Sequence, residues 1–242
     1  MIMINTILFD LDGTVLPMDF NAFMQRYFHE MGTMFHDMID GELLAKYVLE
    51  STRHMVNNLD DRTNEDKFMA RFSELIGGDT EAYRKRFNAF YDTLFLNVRD
   101  TTHQNPAMIQ AIKHVKDKGY DAVLATNPLF PMKANRHRIR WAGLKPEDFS
   151  YISSFESNRY CKPHAAYYRE VLSAIGKAPE ACMMVGNDAL EDMAAAGLGI
   201  TTYLIEDHLL NTHNVDIKAD HRGSYEDFYD FVRTLPDLND EL

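Results

Sequence analysis

The sequence predicts an α/β fold of three layers: a mostly parallel sheet between helices, with an all-helical segment inserted after the first strand. Three observations predict it. Apolar runs free of charge, such as Thr6-Ile7-Leu8-Phe9, have the composition of strands buried on both faces. In the second half of the chain such runs alternate with helical segments, which places helices over both faces of a parallel sheet. From about Met18 to Asn97 the alternation stops and no convincing strand occurs.

The elements follow in order. The strand over Thr6–Phe9 ends at Asp10-Leu11-Asp12-Gly13-Thr14. Between 18 and 97, apolar side chains recur at helical spacing in three stretches: Phe20, Phe23, Met24, Tyr27, Phe28 and Met31; Leu43, Leu44, Tyr47 and Val48; Phe87, Phe90, Tyr91 and Leu94. Gly77-Gly78 separates two of these helices. Asn105 and Pro106 open the next helix as N-cap and first-turn proline, and it closes after Lys118 at Gly119. Strands are expected at 122–126, 151–153, 182–185 and 201–205. An amphipathic helix lies over Ala165–Ile175 and a small-residue helix over 193–196, and Ser224 opens a last helix over 225–235. There is no internal repeat and no low-complexity tract. In such sheets ligands bind beyond the carboxyl ends of the strands.

Four places at or near those strand ends carry chemistry. Asp10 and Asp12 are two apart, so in extended chain they point the same way while Leu11 points into the core. Neighbouring carboxylates oppose each other's ionisation, a cost that a bound cation or a catalytic role offsets. One could attack phosphorus while the other handles the leaving group's proton. Gly13 permits an unusual φ, and Thr14 adds a hydroxyl that could fix the turn. A plain Asp-Gly turn is the simpler alternative. Thr126-Asn127 ends the second strand with neutral donors suited to phosphoryl oxygens. Lys162-Pro163 precedes the Ala165 helix and could set a positive charge against phosphate and carboxylate. Gly186-Asn187-Asp188, with Glu191 and Asp192, follows the strand at 182–185. Each of the last three, alone, reads equally as a turn, a solvated lysine or an acidic helix start.

Composition bounds the possibilities. The 242 residues are 45% hydrophobic, with 15 Phe, 12 Tyr and 1 Trp, enough for one large domain or a domain with an insertion. A formal charge of −12 argues against nucleic acid or an anionic membrane as main partner. It leaves room for an anionic small molecule, because the local field decides that. The 2 cysteines, Cys161 and Cys182, have no metal-type spacing and suit a reducing compartment. The start lacks a basic region and reads as strand rather than signal peptide, and no apolar run spans a bilayer. A cytoplasmic protein, monomeric or homodimeric, is expected. His29, His36 and His54 lack the paired spacing of a metal site. Arg53 and Arg62 could reach a second anionic group on a substrate, but arginines on helices are mostly solvated.

Taken together and in this order, Asp10-Leu11-Asp12-Gly13-Thr14, Thr126-Asn127, Lys162-Pro163 and Gly186-Asn187-Asp188 with Asp192 resemble the haloacid dehalogenase superfamily of phosphotransferases, over nearly the whole chain. The resemblance implies a Rossmann-like core from 1–17 and 98–242 and a helical cap over 18–97. Hinges would fall near Leu16-Pro17 and 97–99. The cap is similar to that of phosphoglycolate phosphatases and β-phosphoglucomutases. By the same resemblance Asp10 is the nucleophile that becomes an aspartyl-phosphate, and Asp12 is the general acid and base. Thr126, with Asn127, holds phosphoryl oxygens, and Lys162 balances charge. Mg²⁺ would be held by Asp10, by the backbone carbonyl of Asp12 and by an acidic residue of the last motif. That motif commonly reads Gly-Asp, whereas here Asn187 intervenes. Asp188 is preferred as ligand because an anionic oxygen holds a hard cation better than an amide does. Asp192, one helical turn on, could face Lys162. Thr14 and Asn187 would support the site. Relatives that cleave carbon–halogen bonds lack an aspartate at the Asp12 position, and those that cleave carbon–phosphorus bonds have a small residue there. Asp12 therefore points to phosphate esters. The expected activity is Mg²⁺-dependent hydrolysis of a small phosphorylated metabolite. Phosphomutase chemistry, which activation by a sugar bisphosphate would reveal, is the alternative, followed by a non-catalytic phosphate binder.

Overall fold

The computed structural model describes residues 3–78 and 80–241; Met1, Ile2, Asp79 and Leu242, which the expected segment boundaries include, lie outside the described residues. Six strands form one sheet: β1 (Thr6–Phe9), β2 (Asp121–Leu124), β3 (Tyr151–Ile152), β4 (Cys182–Gly186), β5 (Thr201–Ile205) and β6 (His221–Gly223). Their order across the sheet is β3-β2-β1-β4-β5-β6, and every pairing is parallel. The chain runs outward one way from β1 through β2 and β3, then returns to the other side of β1 at β4. The order reverses between β1 and β4, and a crevice opens there at the carboxyl ends.

Alternation along the strands builds the layers. Ile7 and Phe9 of β1, with Met183 and Val185 of β4, join one apolar cluster with α5 (Pro106–Asp117) and α8 (Tyr225–Thr234). Leu8 and Met184 face the other way, onto Tyr167, Tyr168 and Val171 of α7 (Ala165–Ile175). Both faces are apolar because both are covered. The helix starts are capped as the sequence implies: Asn105 accepts from the Met108 N–H, and Ser224 accepts from the Asp227 N–H.

Between β1 and α5 the chain is helical: α1 (Phe20–Phe35), α2 (Gly41–Asn57), α3 (Asn64–Ile76), α4 (Thr80–Asp92) and a 3₁₀ segment over Leu94–Thr101. Asp19, Asp40 and Thr63 cap the first three, and Gly77, at φ 62°, ends α3 in the left-handed conformation. Of the aromatic side chains expected at helical spacing, Phe23, Tyr27, Phe90 and Tyr91 are buried, whereas Phe20 at the start of α1 is exposed. Phe23 and Tyr27 meet Phe130 edge to face, and Phe95 stacks on Trp141, so the insertion and one face of the sheet share a single apolar cluster.

Two chain crossings link the insertion to the sheet. Met18 bridges Thr102 antiparallel, and the His103 N–H donates to the Pro17 carbonyl at 3.0 Å. The second crossing lies at 101–103, beyond the expected 97–99. The expected span falls inside the 3₁₀ segment, which buries Phe95 and Val98.

Two elements had no clear sequence signal. Strand β6 is three residues long, with His221 and Arg222 exposed, so no apolar run marks it. Helix α6 (Met132–Trp141) carries five basic residues, and its inner face includes Asn135 and Arg138 among apolar Ala134, Ile139 and Trp141.

Candidate active site

The crevice is a cavity of about 280 Å³ bordered by Asp10, Asp12, Thr126, Asn127, Asn187, Asp188 and Asp192. Seven of the nine expected site residues therefore border one cavity. The other two stand behind it: Lys162 and Thr14 are both fully buried.

Asp10 leaves β1 with its N–H still donated to the Val185 carbonyl of β4, which fixes the backbone where the strand ends. One of its carboxylate oxygens, Oδ1, accepts from Lys162 Nζ at 2.9 Å. Lys162 Nζ also donates to Asp192 Oδ1 at 2.6 Å. Burial opposes the charge on this ammonium, but Asp10 and Asp192 outweigh it and hold the Lys162 pKa well above the usual amine range. The lysine backbone is anchored too, since its N–H donates to Asn127 Oδ1 at 3.2 Å. Asp192 is fixed from its other oxygen, which accepts from the Asp188 N–H at 2.9 Å. A Cβ on Gly186 would lie 2.1 Å from that same oxygen, so only glycine lets the strand end pass this close.

Asp12 sits on the opposite side of the turn. Its Oδ2 pairs with Nη1 of Arg138, which is fully buried and lies 4.2 Å over the Phe130 ring. Asp12 Oδ1 is buried without a hydrogen-bond partner among the described residues. Burial pushes the Asp12 carboxyl above its ordinary value; Arg138 pulls it back, and the Asp10 charge adds to the rise. A proton is thereby kept on Asp12 to higher pH than on a solvated aspartate.

The turn between them is locked from beneath. Gly13 has φ 83°, and a Cβ there would lie 2.3 Å from Asn187 Nδ2. Thr14 donates its hydroxyl to Asn187 Oδ1 at 2.9 Å, while Asn187 Nδ2 donates to the His208 carbonyl at 2.7 Å. Both ends of the Asn187 amide are thus committed. Asp188 Oδ1 accepts from the N–H groups of Leu190 and Glu191, both at 2.8 Å, and caps the turn that follows. Its second oxygen has no bond to a described residue.

Two residues, one behind the wall and one on it, escape a reading of the sequence. Arg138 lies in Arg136-His137-Arg138-Ile139-Arg140, where nothing distinguishes it from its solvated neighbours. Glu191 reads as a first-turn acid that suits the helix dipole. In the structure it accepts from Asn127 Nδ2 at 2.8 Å, and burial pushes its carboxyl up to about 8. Other expectations find their places away from the cavity. His29, His36 and His54 are exposed. Arg53 borders a separate surface groove, and Arg62 is paired with Asp60 at 2.7 Å. Among the described residues no three acidic, histidine or cysteine side chains cluster as a metal cage. Hard oxygen donors are nevertheless present in the number that Mg²⁺ takes from a protein, with carboxylates of Asp10 and Asp188 bordering the same cavity.

A parallel sheet with paired carboxylates and a buried lysine at its switch point defines a class of hydrolase, and sequence comparison places the chain in it. The family of haloacid dehalogenase-like hydrolases matches residues 4–198, and the chain belongs to that family. It is an enzyme with phosphatases among its relatives. Pyrophosphatase PpaX of Bacillus cereus is 23% identical over 203 residues, 82% of each chain. The structure of a HAD phosphatase from Thermococcus onnurineus superposes with a TM-score of 0.63 at 17% identity, covering 97% of this chain and 100% of that one. The HAD-hydrolase YfnB from Bacillus subtilis, described as bound to magnesium and as revealing interdomain movement, gives 0.56 at 19% identity, covering 95% and 99%. Among the described residues no helix is long and apolar enough to cross a membrane.

Proposed function

We propose that this chain is a Mg²⁺-dependent phosphatase that hydrolyses a small phosphorylated metabolite through an aspartyl-phosphate on Asp10. The observation that carries the reading is the Asp10–Lys162–Asp192 chain of contacts at the cavity floor, with Asp12 beside it. Lys162 holds one oxygen of Asp10 and leaves the other for attack at phosphorus. The bond to the leaving oxygen breaks as the Asp10–phosphorus bond forms, and Asp12, whose carboxyl burial raises above its ordinary value, gives that oxygen its proton. Asp12, now a carboxylate, takes a proton from water as the water attacks phosphorus and frees phosphate and Asp10. Thr126 and Asn127 border the space where phosphoryl oxygens would lie. Asp10, the Asp12 carbonyl and Asp188 would hold Mg²⁺, which neutralises charge developing on the transferred group. Positioning and neutralisation are what this reaction chiefly asks of a protein.

The insertion, α1 to α4, acts as the cap in this reading. It roofs the cavity with Phe20, Phe23, Met24 and Leu49, and so excludes water from the reacting group. The paired crossings at 17–18 and 101–103 serve as its hinge.

The test is phosphate release from a generic aryl phosphate. Turnover is expected with Mg²⁺ and none after chelation. Asp10→Asn, nearly isosteric, should abolish release while leaving the circular dichroism spectrum and unfolding midpoint close to those of the parent. Undiminished release in excess chelator, or by Asp10→Asn, overturns the reading.

A further inference from the structure

The roof of the cavity differs in chemistry from its floor. The floor is acidic and polar. The roof is apolar, built from Phe20, Phe23, Met24 and Phe28 of α1, Leu49 of α2 and Phe130. Thr52 is the one hydroxyl on α2 that borders it. No lysine, arginine or histidine among the described residues borders this cavity. The two cations nearest the floor, Lys162 and Arg138, are already engaged by Asp10 with Asp192 and by Asp12.

A second cavity adjoins the first and shares part of its lining. Tyr27, Val48, Thr52 and Leu129 border a second chamber of about 310 Å³, lined by aromatic side chains such as Phe68, Phe87 and Phe155. Its single cation among the described residues, Arg84, is paired with Glu65, and Glu156 also borders it, so the charges of these residues sum to negative. At the mouth, Phe20 is 49% exposed and Leu49 is 45% exposed. Large apolar side chains left in water beside a concave site gain by covering with apolar surface.

We propose that the substrate is a phosphate monoester whose leaving group is uncharged and apolar, of the aryl or branched-alkyl class. A second phosphate or a carboxylate on the substrate would be desolvated against Phe23, Phe28 and Leu49 with no cation on the roof to receive it. Pyrophosphate, the substrate class named for the Bacillus cereus relative, is therefore excluded as the preferred one. This inference rests on the phosphatase reading for its reacting half. Its discriminating half comes from the roof and the second chamber.

The experiment is a panel at fixed Mg²⁺: 1-naphthyl phosphate, phenyl phosphate, 3-methylbutyl phosphate, pyrophosphate, phosphoglycolate and glucose 6-phosphate, scored as kcat/KM. The naphthyl and branched-alkyl esters should exceed pyrophosphate and phosphoglycolate by about 100-fold, the scale on which unmatched pocket contacts discriminate. A cation placed on the roof should narrow the gap. Leu49→Arg, at an exposed position outside the reacting groups, is expected to raise kcat/KM for pyrophosphate about tenfold and lower that for the naphthyl ester, reversing part of the preference. Pyrophosphate or phosphoglycolate equal to or better than the aryl esters overturns the inference and leaves the phosphatase reading standing. Hydrolysis of nothing in the panel removes the phosphatase reading. Calorimetric binding to Asp10→Asn then decides the substrate class on its own: the naphthyl ester binding tighter than pyrophosphate upholds it, and the reverse order overturns it.

Discussion

Arg138 carries more of the site than its position in a basic helix suggests. It is fully buried, its Nη1 is spent on Asp12, and its face rests on Phe130. Removing one partner of a buried pair strands the other charge, at about 3–5 kcal/mol. Arg138→Met should therefore lower unfolding stability in urea by that order. It should also shift the pH–rate limb due to Asp12 upward, because the guanidinium holds that carboxyl down against burial. A limb that stays in place would separate Arg138 from the acid. Asp12→Asn should lose roughly 10²–10⁴-fold in rate through missing proton transfer, measured as kcat on the best aryl ester. At this scale the sequence was legible where chemistry and spacing coincide. Asp10 and Asp12 stand two apart at the end of an apolar run, and Lys162 abuts a proline before a helix. Arg138 was not legible, because burial of one arginine among three in five residues is decided by how α6 lies on the sheet, not by anything local.

Helix α3 ties the insertion to the sheet side of the cavity. The Asn64 N–H donates to the Asn158 carbonyl at 2.8 Å, and fully buried Lys67 donates to the carbonyls of Asn58 and Arg159. The bonds to Asn158 and Arg159 bridge to the loop that leads into Lys162, while the one to Asn58 ties α3 to the end of α2. Lys67→Met would leave two carbonyls without their donor, at about 1–3 kcal/mol. The expected result is a lower urea midpoint and a raised KM, since the roof is then less firmly held. An unchanged KM would confine Lys67 to stability. Among the elements, those with an apolar rhythm and a capping residue were readable. The helices opened by Asn105 and Ser224 begin where the sequence places them. Strand β6 and the 3₁₀ segment over Leu94–Thr101 were not, the first because an exposed edge needs no apolar run, the second because tertiary packing of Phe95 and Val98 sets it.

For the whole molecule, acidity and burial combine into a pH dependence. Burial lifts the Glu191 carboxyl from 4.5 to about 8. Between those values the native state keeps a proton that the unfolded chain releases, so this group makes stability fall as pH rises through the window. Thermal melts in chelator should show that decline, and Glu191→Gln, neutral throughout, should flatten it. An equal slope in the variant would show that Glu191 is not the group responsible. The net charge of −12 leaves the reaction to local charges, and Asp10, in contact with Lys162, lies where the strand order reverses. Its nucleophilic role is open to a covalent test. Asp12→Asn should stall after transfer, because no base remains to activate water. Quenching that variant with borohydride during turnover of an aryl phosphate reduces an acyl phosphate to the alcohol. Mass spectrometry should then find homoserine in place of Asp10 and an unmodified Asp12→Asn side chain two residues on. Reduction at another carboxylate, or none while phosphate is still released, would contradict an aspartyl-phosphate on Asp10.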